Sequence, residues 1–253
     1  MNIARRTLAA AARRAGYEIR RAADPIYGSR AEFDAIHATI KPNTMLNETR
    51  LLSLYEHVRY CEQSNIFGAF VECGVWKGGA IGLMAMASQG RDLHLFDSFT
   101  DICEPTAIDG ARAIREAGGR ADGQLRPISG FYDAQGGHGT EEACVDLLSR
   151  CGHPQGLTHI HRGWFQDTVP VSKTGPIAIL RLDGDWYAST RTCLEHLFDR
   201  VVSGGIVIID DYGSYEGCRR ATDEFLAKRP HLLQRIDNGA FCTVKSDGGA
   251  VGT

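Results

Sequence analysis

The chain has 253 residues, of which 43% are hydrophobic, enough for one sizeable α/β domain with an appendage and too short for a second full domain. A formal net charge of −3 gives no electrostatic case for a nucleic-acid partner, whose binding leaves a strongly basic footprint. Eight cysteines without a C-x-x-C pair argue against structural zinc and suit a reducing cytoplasm, while no apolar stretch approaches the ~20 residues of a membrane span and no signal-peptide core is present.

Met1 to Arg21 carries Arg5, Arg6, Arg13, Arg14, Arg20 and Arg21 against the single acid Glu18. Three readings stay open for this segment: a helix touching anionic lipid or a partner, an Arg-rich transit peptide, and a solvated helix without a task. The first would make a cytoplasmic protein peripheral at the inner membrane surface. The segment to residue 65 reads as N-terminal helices, and 66–253 as the α/β domain.

Met45 to Gln63 repeats its apolar residues at spacings of three and four, an amphipathic helix whose start is marked by Pro42 and Thr44. Ala69 to Cys73 has strand character and opens through Gly74, Gly78 and Gly79 into a helix over Ile81–Ser88. Asp92 to Phe96 reads as a second strand, closed by Asp97, Ser98 and Phe99. Between Cys103 and Gly156 no strand is convincing; glycines break the region, and helical patches lie near Ala111–Ala117 and Glu141–Arg150. Such an irregular insertion in an α/β domain usually faces substrate.

Leu157 to His161 and Ile177 to Leu182 are the next strands, the second followed by a helix over Ala188–Val202. Ile206 to Ile209, a helix over Tyr215–Lys228, and strands near Leu232–Ile236 and Phe241–Val244 around an Asn238-Gly239 turn complete the chain. This order describes an α/β fold with a mostly parallel sheet and a terminal antiparallel strand.

Two of these strands end in paired acids: Asp183 with Asp185, and Asp210 with Asp211. Ligands of open α/β sheets bind at that carboxyl edge. So many carboxylates on one edge repel one another unless solvated or bridged by a cation, and hard oxygen donors suit Mg²⁺ or a similar divalent ion. Helix capping accounts for one aspartate per strand, not two. At the Glu72–Gly79 turn, glycines allow close approach to a ligand, but the spacing is neither G-x-G-x-x-G nor a P-loop. Asp97 ends the second strand where a ribose-binding acid sits in nucleoside-binding sheets; capping its own turn is the alternative.

Together these pieces resemble the S-adenosylmethionine-dependent O-methyltransferases of the macrocin O-methyltransferase type, which methylate sugar hydroxyls in macrolide and aminocoumarin antibiotics. The resemblance runs from about Thr44 to Val244. It is carried by Thr44-Met45, Val71-Glu72-Cys-Gly-Val-Trp-Lys-Gly-Gly79, Asp97-Ser-Phe99, Gly163-Trp-Phe-Gln-Asp-Thr168, Leu182-Asp-Gly-Asp-Trp-Tyr-Ala-Ser-Thr190, Asp210-Asp-Tyr212, Cys218-Arg-Arg-Ala221 and Asp223-Glu-Phe225.

The resemblance implies a Rossmann-like class I methyltransferase with a seven-stranded sheet, S-adenosylmethionine as cofactor and Mg²⁺ or a similar divalent cation at the carboxyl edge. It implies that Thr44, Met45, Glu72, Gly74, Gly78 and Gly79 belong to the cofactor site, the last four at its methionine end. Asp97 takes the ribose, Ser98 and Phe99 lie beside the nucleoside, and Trp164 and Phe165 flank the adenine or pack in the core. Asp183, Asp210 and Asp211 match the metal carboxylates, with Asp183 also counted as catalytic, and Asp185 matches the general base. The basic N-terminus and the 103–156 region stand outside the resemblance. The expected acceptor is a hydroxyl of a sugar, glycan or glycosylated metabolite, with no nucleic acid; a non-sugar hydroxyl, a nucleotide-cofactor oxidoreductase of the same fold class and a homo-oligomer stay open.

Overall fold

The structure, a computed structural model, describes residues 25–229 and 231–246. The basic segment Met1–Arg21 lies outside the described residues. Helices α1 (Arg30–Ile40) and α2 (Glu48–Gln63) precede strand β1 (Ala69–Cys73), helix α3 (Gly79–Ala87) and strand β2 (Leu93–Asp97). Helices α4 (Gly110–Glu116) and α5 (Glu141–Arg150) lie in the glycine-rich region, followed by β3 (Thr158–Arg162) and the single turn α6 (Phe165–Thr168). Then come β4 (Ile177–Leu182), α7 (Tyr187–Leu197), β5 (Val201–Ile209), α8 (Glu216–Leu226), β6 (Gln234–Arg235) and β7 (Phe241–Val244).

The seven strands form one sheet in the order β3-β2-β1-β4-β5-β7-β6, parallel from β3 through β5, with β7 antiparallel to both its neighbours. Every residue of β1 and β4 is buried, as expected of central parallel strands covered on both faces. The period of two divides their side chains between two cores. Phe70, Ile179, Ile206 and Ile208 face α1, α2 and α3, whereas Val71, Leu180, Val207 and Ile209 face α7 and α8. Each fully buried Leu or Ile contributes about 1.5–3 kcal/mol, so this two-sided burial is the main force fixing the strand ends that carry the site.

Element boundaries depart from the sequence reading at α2, at the α7–β5 junction and at β6. Helix α2 begins at Glu48, not at Met45, because the Asn47 side chain accepts from the Arg50 N–H and caps the helix there. Helix α7 stops at Leu197 and a short turn over Phe198–Arg200 delivers Val201 directly into β5. The early part of β5 is hidden in the sequence by Gly204, whose φ is +80°, beside a register shift that pairs Val201 with Ile177 and Ile206 with Ile179. Finally, β6 shrinks to Gln234–Arg235; its turn is held by Asp237 Oδ1, which accepts from the N–H groups of Gly239 and Ala240 at 2.8 and 2.7 Å. Among the described residues no helix is long and apolar enough to cross a membrane.

Candidate active site

A cavity of about 770 Å³ opens at the carboxyl edge of the sheet, above β1, β2 and β4. The backbone ladder continues past the strands to fix its floor. Gly74 N–H donates to Phe96 O at 2.8 Å, Asp183 N–H to Cys73 O at 2.8 Å and Asp210 N–H to Leu182 O at 2.9 Å. Gly74 has φ +90°, and a Cβ there would run into the Asp183 carbonyl, so only glycine lets β1 and β4 end this close together. Four non-glycine residues among those described have positive φ, and three of them, Trp76, Phe99 and Asp185, follow the ends of β1, β2 and β4. Backbone held in this sparsely populated region tends to gather at functional sites.

Asp97 organises one half of the cavity. Its Oδ2 accepts from the N–H groups of Val75 and Trp76 at 2.7 and 2.9 Å, and its Oδ1 from Phe99 N–H at 2.7 Å, which ties the glycine turn to the end of β2. Burial pushes its pKa up and these three donors oppose that. Asp97, Ser98, Gly74 and Met45 line the cavity together with Trp164 and Phe165, whereas Phe99 is buried beside it. Gly78 and Gly79 do not line it. A Cβ on Gly79 would lie 2.5 Å from Thr44 Cβ and one on Gly78 3.3 Å from Cys144 Sγ, so these glycines admit neighbouring protein segments, with Thr44 packed at the turn.

The other half is acidic. Single carboxylate oxygens of Asp183, Asp185 and Asp211 all lie within 4.8 Å of one another. Burial, followed by the neighbouring aspartates, holds the pKa values of Asp185 and Asp211 well above the usual carboxylate range. Three hard oxygen donors at this spacing, strained by mutual repulsion, fit a divalent cation. Asp210, expected in this group, is directed elsewhere: its Oδ1 lies 2.8 Å from Arg181 Nη2 and its Oδ2 pairs with Arg50. Arg50 belongs to α2 and also holds Asp237 through Nε at 2.9 Å, so the N-terminal helices reach the acidic edge.

Arg181 is the feature that the motifs passed over. It is 2% exposed in the middle of β4, with Nη1 on Glu72 Oε1 at 2.7 Å and Nη2 within 2.9 Å of Asp183 Oδ2 and 2.8 Å of Asp210 Oδ1. Glu72 is its direct register partner on β1. Burial works against the guanidinium charge, but Asp210, Asp183 and Glu72 outweigh it and raise its pKa well above the usual value. Burial pushes Glu72 up to about 8 despite Arg181, and its Oε2 is buried without a hydrogen-bond partner. A lone arginine inside an apolar run was the available signal, since a buried charge demands paired acids.

Residues 130–139 close over the glycine turn. Trp76 Nε1 donates to Gly137 O at 3.2 Å, Lys77 Nζ to the carbonyls of Gln135 and Gly136 at 3.1 and 2.9 Å, and Asp101 accepts from Gly130 N–H at 3.0 Å. This brings Tyr132 into the cavity, where burial and then the charges of Asp185 and Asp183 raise its pKa. Tyr215 donates to Glu116 Oε2 at 2.6 Å on the same wall. Neither tyrosine nor Glu116 carried a sequence signal, because their positions depend on how the irregular region folds.

A seven-stranded sheet of this order, with its cavity at the carboxyl edge, defines a class I methyltransferase. The macrocin-O-methyltransferase (TylF) family model matches residues 4–121 and 142–243, and the chain belongs to that family of O-methyltransferases. It is 33% identical over 195 residues to demethyldecarbamoylnovobiocin O-methyltransferase of Streptomyces niveus, covering 74% of this chain and 68% of the relative. It is 31% identical over 196 residues to 8-demethyl-8-(2,3-dimethoxy-alpha-L-rhamnosyl)-tetracenomycin-C 4'-O-methyltransferase of Streptomyces olivaceus, covering 72% and 67%. The solved O-methyltransferase NovP superposes with a TM-score of 0.68 at 29% identity, over 81% of this chain and 83% of that one. The family match begins at residue 4, not near Thr44, so the basic N-terminus falls within the family's span, and the unmatched stretch narrows from 103–156 to 122–141.

Proposed function

We propose that this chain transfers a methyl group from S-adenosylmethionine to a hydroxyl of a sugar or glycosylated metabolite, with a divalent cation, Mg²⁺ or similar, at the acidic edge. The observation that carries the reading is the continuity of one cavity from Gly74 and Asp97 to Asp183 and Asp185. The names of the relatives, which include novobiocin and rhamnosyl-tetracenomycin substrates, support the acceptor class.

Asp97 is assigned to the ribose hydroxyls, for which its Oδ1, accepting only from Phe99 N–H, keeps a free lone pair. Trp164 and Phe165 are assigned to the adenine. The unpaired Oε2 of Glu72, two residues before the cavity-lining Gly74, is assigned to the methionine ammonium. Asp183 and Asp211 would hold the cation, with an oxygen of Asp185 in reach and Asp210 steadied by its two arginines. A bound divalent cation lowers the pKa of an acceptor hydroxyl, a poor nucleophile near neutral pH. Asp185 takes the hydroxyl proton. Tyr132 and the 130–139 segment exclude water, and the cavity walls align acceptor oxygen and sulfonium methyl for in-line attack, where orientation supplies much of the rate.

The test is to incubate the protein with S-adenosylmethionine and neutral sugars or glycosides, with Mg²⁺ and again with excess chelator, and to detect the methylated product by mass spectrometry. Product that depends on Mg²⁺ supports the reading; full turnover in chelator removes the cation from it, and methylation of non-sugar hydroxyls alone removes the acceptor class.

A further inference from the structure

We propose that the acceptor carries an oxyanion, a carboxylate or a phosphate on its sugar ring, and that Arg120 and Arg126 at the rim of the cavity bind it. The proposal rests on the methyl-transfer reading of the same cavity and deepens it. Arg120 lines the cavity, and Arg126 stands two residues before Ile128, which lines it as well.

The pair is built by the irregular region after β2. Its two arms run antiparallel, with bridges between Cys103 and Pro127 and between Thr106 and Asp122, and Glu104 N–H donates to Gln124 O at 3.2 Å. Trp186 Nε1, one residue beyond Asp185, donates to Cys103 O at 2.9 Å and pins this clamp to the acidic edge. Glu104 lies between the two bridges and is 3% exposed. Its Oε1 accepts from Arg126 Nε at 2.8 Å and lies 3.9 Å from Arg120 Nε, while its Oε2 is buried without a hydrogen-bond partner.

Both guanidiniums turn Nε toward Glu104, so both keep their Nη groups for another partner, and among the described residues neither meets a second carboxylate. The two side chains are 51% and 56% exposed. Two cations against one carboxylate leave a positive charge over, and guanidinium forks match the paired oxygens of a carboxylate or phosphate. Anchoring a loop does not account for this arrangement. Ion pairs with exposed partners stabilise a fold little, whereas a buried carboxylate oxygen without a donor is costly. Glu104 is therefore a positioning residue that orients two arginines toward the cavity mouth.

The acids of the cavity leave room for an anion at this end. Glu116 is held by Arg112 Nε at 2.9 Å and by the Tyr215 hydroxyl at 2.6 Å, Asp97 by three N–H groups and Asp183 by Arg181 at 2.9 Å. Arg126 falls in the 122–141 stretch that the family model leaves unmatched, so half of the pair is not supplied by the family pattern.

The experiment reads the arginines directly. The full chain is labelled with ¹⁵N-arginine, and the Nε–H resonances of Arg120 and Arg126 are assigned from Arg120→Gln and Arg126→Gln. With S-adenosylhomocysteine and Mg²⁺ present, the protein is titrated with the methyl glycosides of glucuronic and galacturonic acid, with glucose 6-phosphate and galactose 6-phosphate, and with the neutral methyl glucoside and galactoside; acetate and inorganic phosphate serve as bare ions. The expected result is a saturable shift of both resonances with a uronate or a sugar phosphate, at least tenfold tighter than with the neutral glycosides and the bare ions, and at least tenfold weaker in Arg120→Gln, Arg126→Gln and Glu104→Gln. Saturation by the uronates alone identifies a carboxylate, and by the sugar phosphates alone a phosphate. Absence of a saturable shift, equal binding of the neutral glycosides or the bare ions, or unchanged affinity in the folded arginine variants overturns the proposal; the exposed Arg120 and Arg126 keep the test decisive even where Glu104→Gln does not fold. Calorimetric binding of S-adenosylhomocysteine to the same protein tells whether the methyl-transfer reading stands when the proposal fails.

Discussion

Arg181 on β4 and Glu72 on β1 form an ion pair at 2.7 Å with side chains 3% and 1% exposed, and the same guanidinium reaches the aspartates that end β4 and β5. One cation thus knits the assigned cofactor end to the assigned cation end. Breaking a buried pair by removing one partner typically costs about 3–5 kcal/mol, because the remaining charges are left without compensation.

Arg181→Met is therefore expected to lower unfolding free energy by about that amount, measured by urea denaturation, while Arg181→Lys recovers only part of it because a point charge cannot span three carboxylates. Wild-type stability in Arg181→Met would show that the acids are not held by this guanidinium.

The sheet, its terminal antiparallel strand and the acids of its carboxyl edge were legible because period-two burial and strand-ending carboxylates are local patterns. Gly78 and Gly79 show the limit of local pattern: a glycine turn looks alike in sequence whether or not protein segments such as Thr44 and Cys144 pack against it. That Asp210 turns toward two arginines was not legible, since it depends on Arg50 arriving from α2 and Arg181 from the strand interior. Tyr132 was beyond reach, because its place follows from loop contacts at Trp76, Lys77 and Asp101 that no spacing encodes.

Asp185→Asn is expected to reduce kcat by two orders of magnitude or more, in line with the ~10²–10⁴-fold contribution of general acid–base catalysis, and to change affinity for S-adenosylhomocysteine less than threefold. Steady-state kinetics beside calorimetry checks both. Undiminished kcat would move the proton acceptor to another group.

Asp237 carries a pH signature. Burial pushes its pKa up, but Arg50, the N–H groups of Ala240 and Gly239 and the Asn47 amide outweigh that and hold it well below the usual range. Because the folded-state value lies below the unfolded one, its stabilisation is complete above the unfolded pKa of about 4 and is lost as pH falls through the folded value. The gap in melting temperature between wild type and Asp237→Asn is expected to be largest near pH 6 and to narrow below pH 4. A gap that is constant with pH would contradict the pairing with Arg50.

Calorimetric titration of S-adenosylhomocysteine into the purified protein tests the central claim most directly, that the edge between Gly74, Asp97 and Asp183 is a cofactor site for methyl transfer. The account predicts one molecule bound per chain and at least a tenfold loss of affinity in Asp97→Ala, with circular dichroism confirming that the variant is folded. No binding to the wild type, or equal affinity in the folded variant, would contradict it.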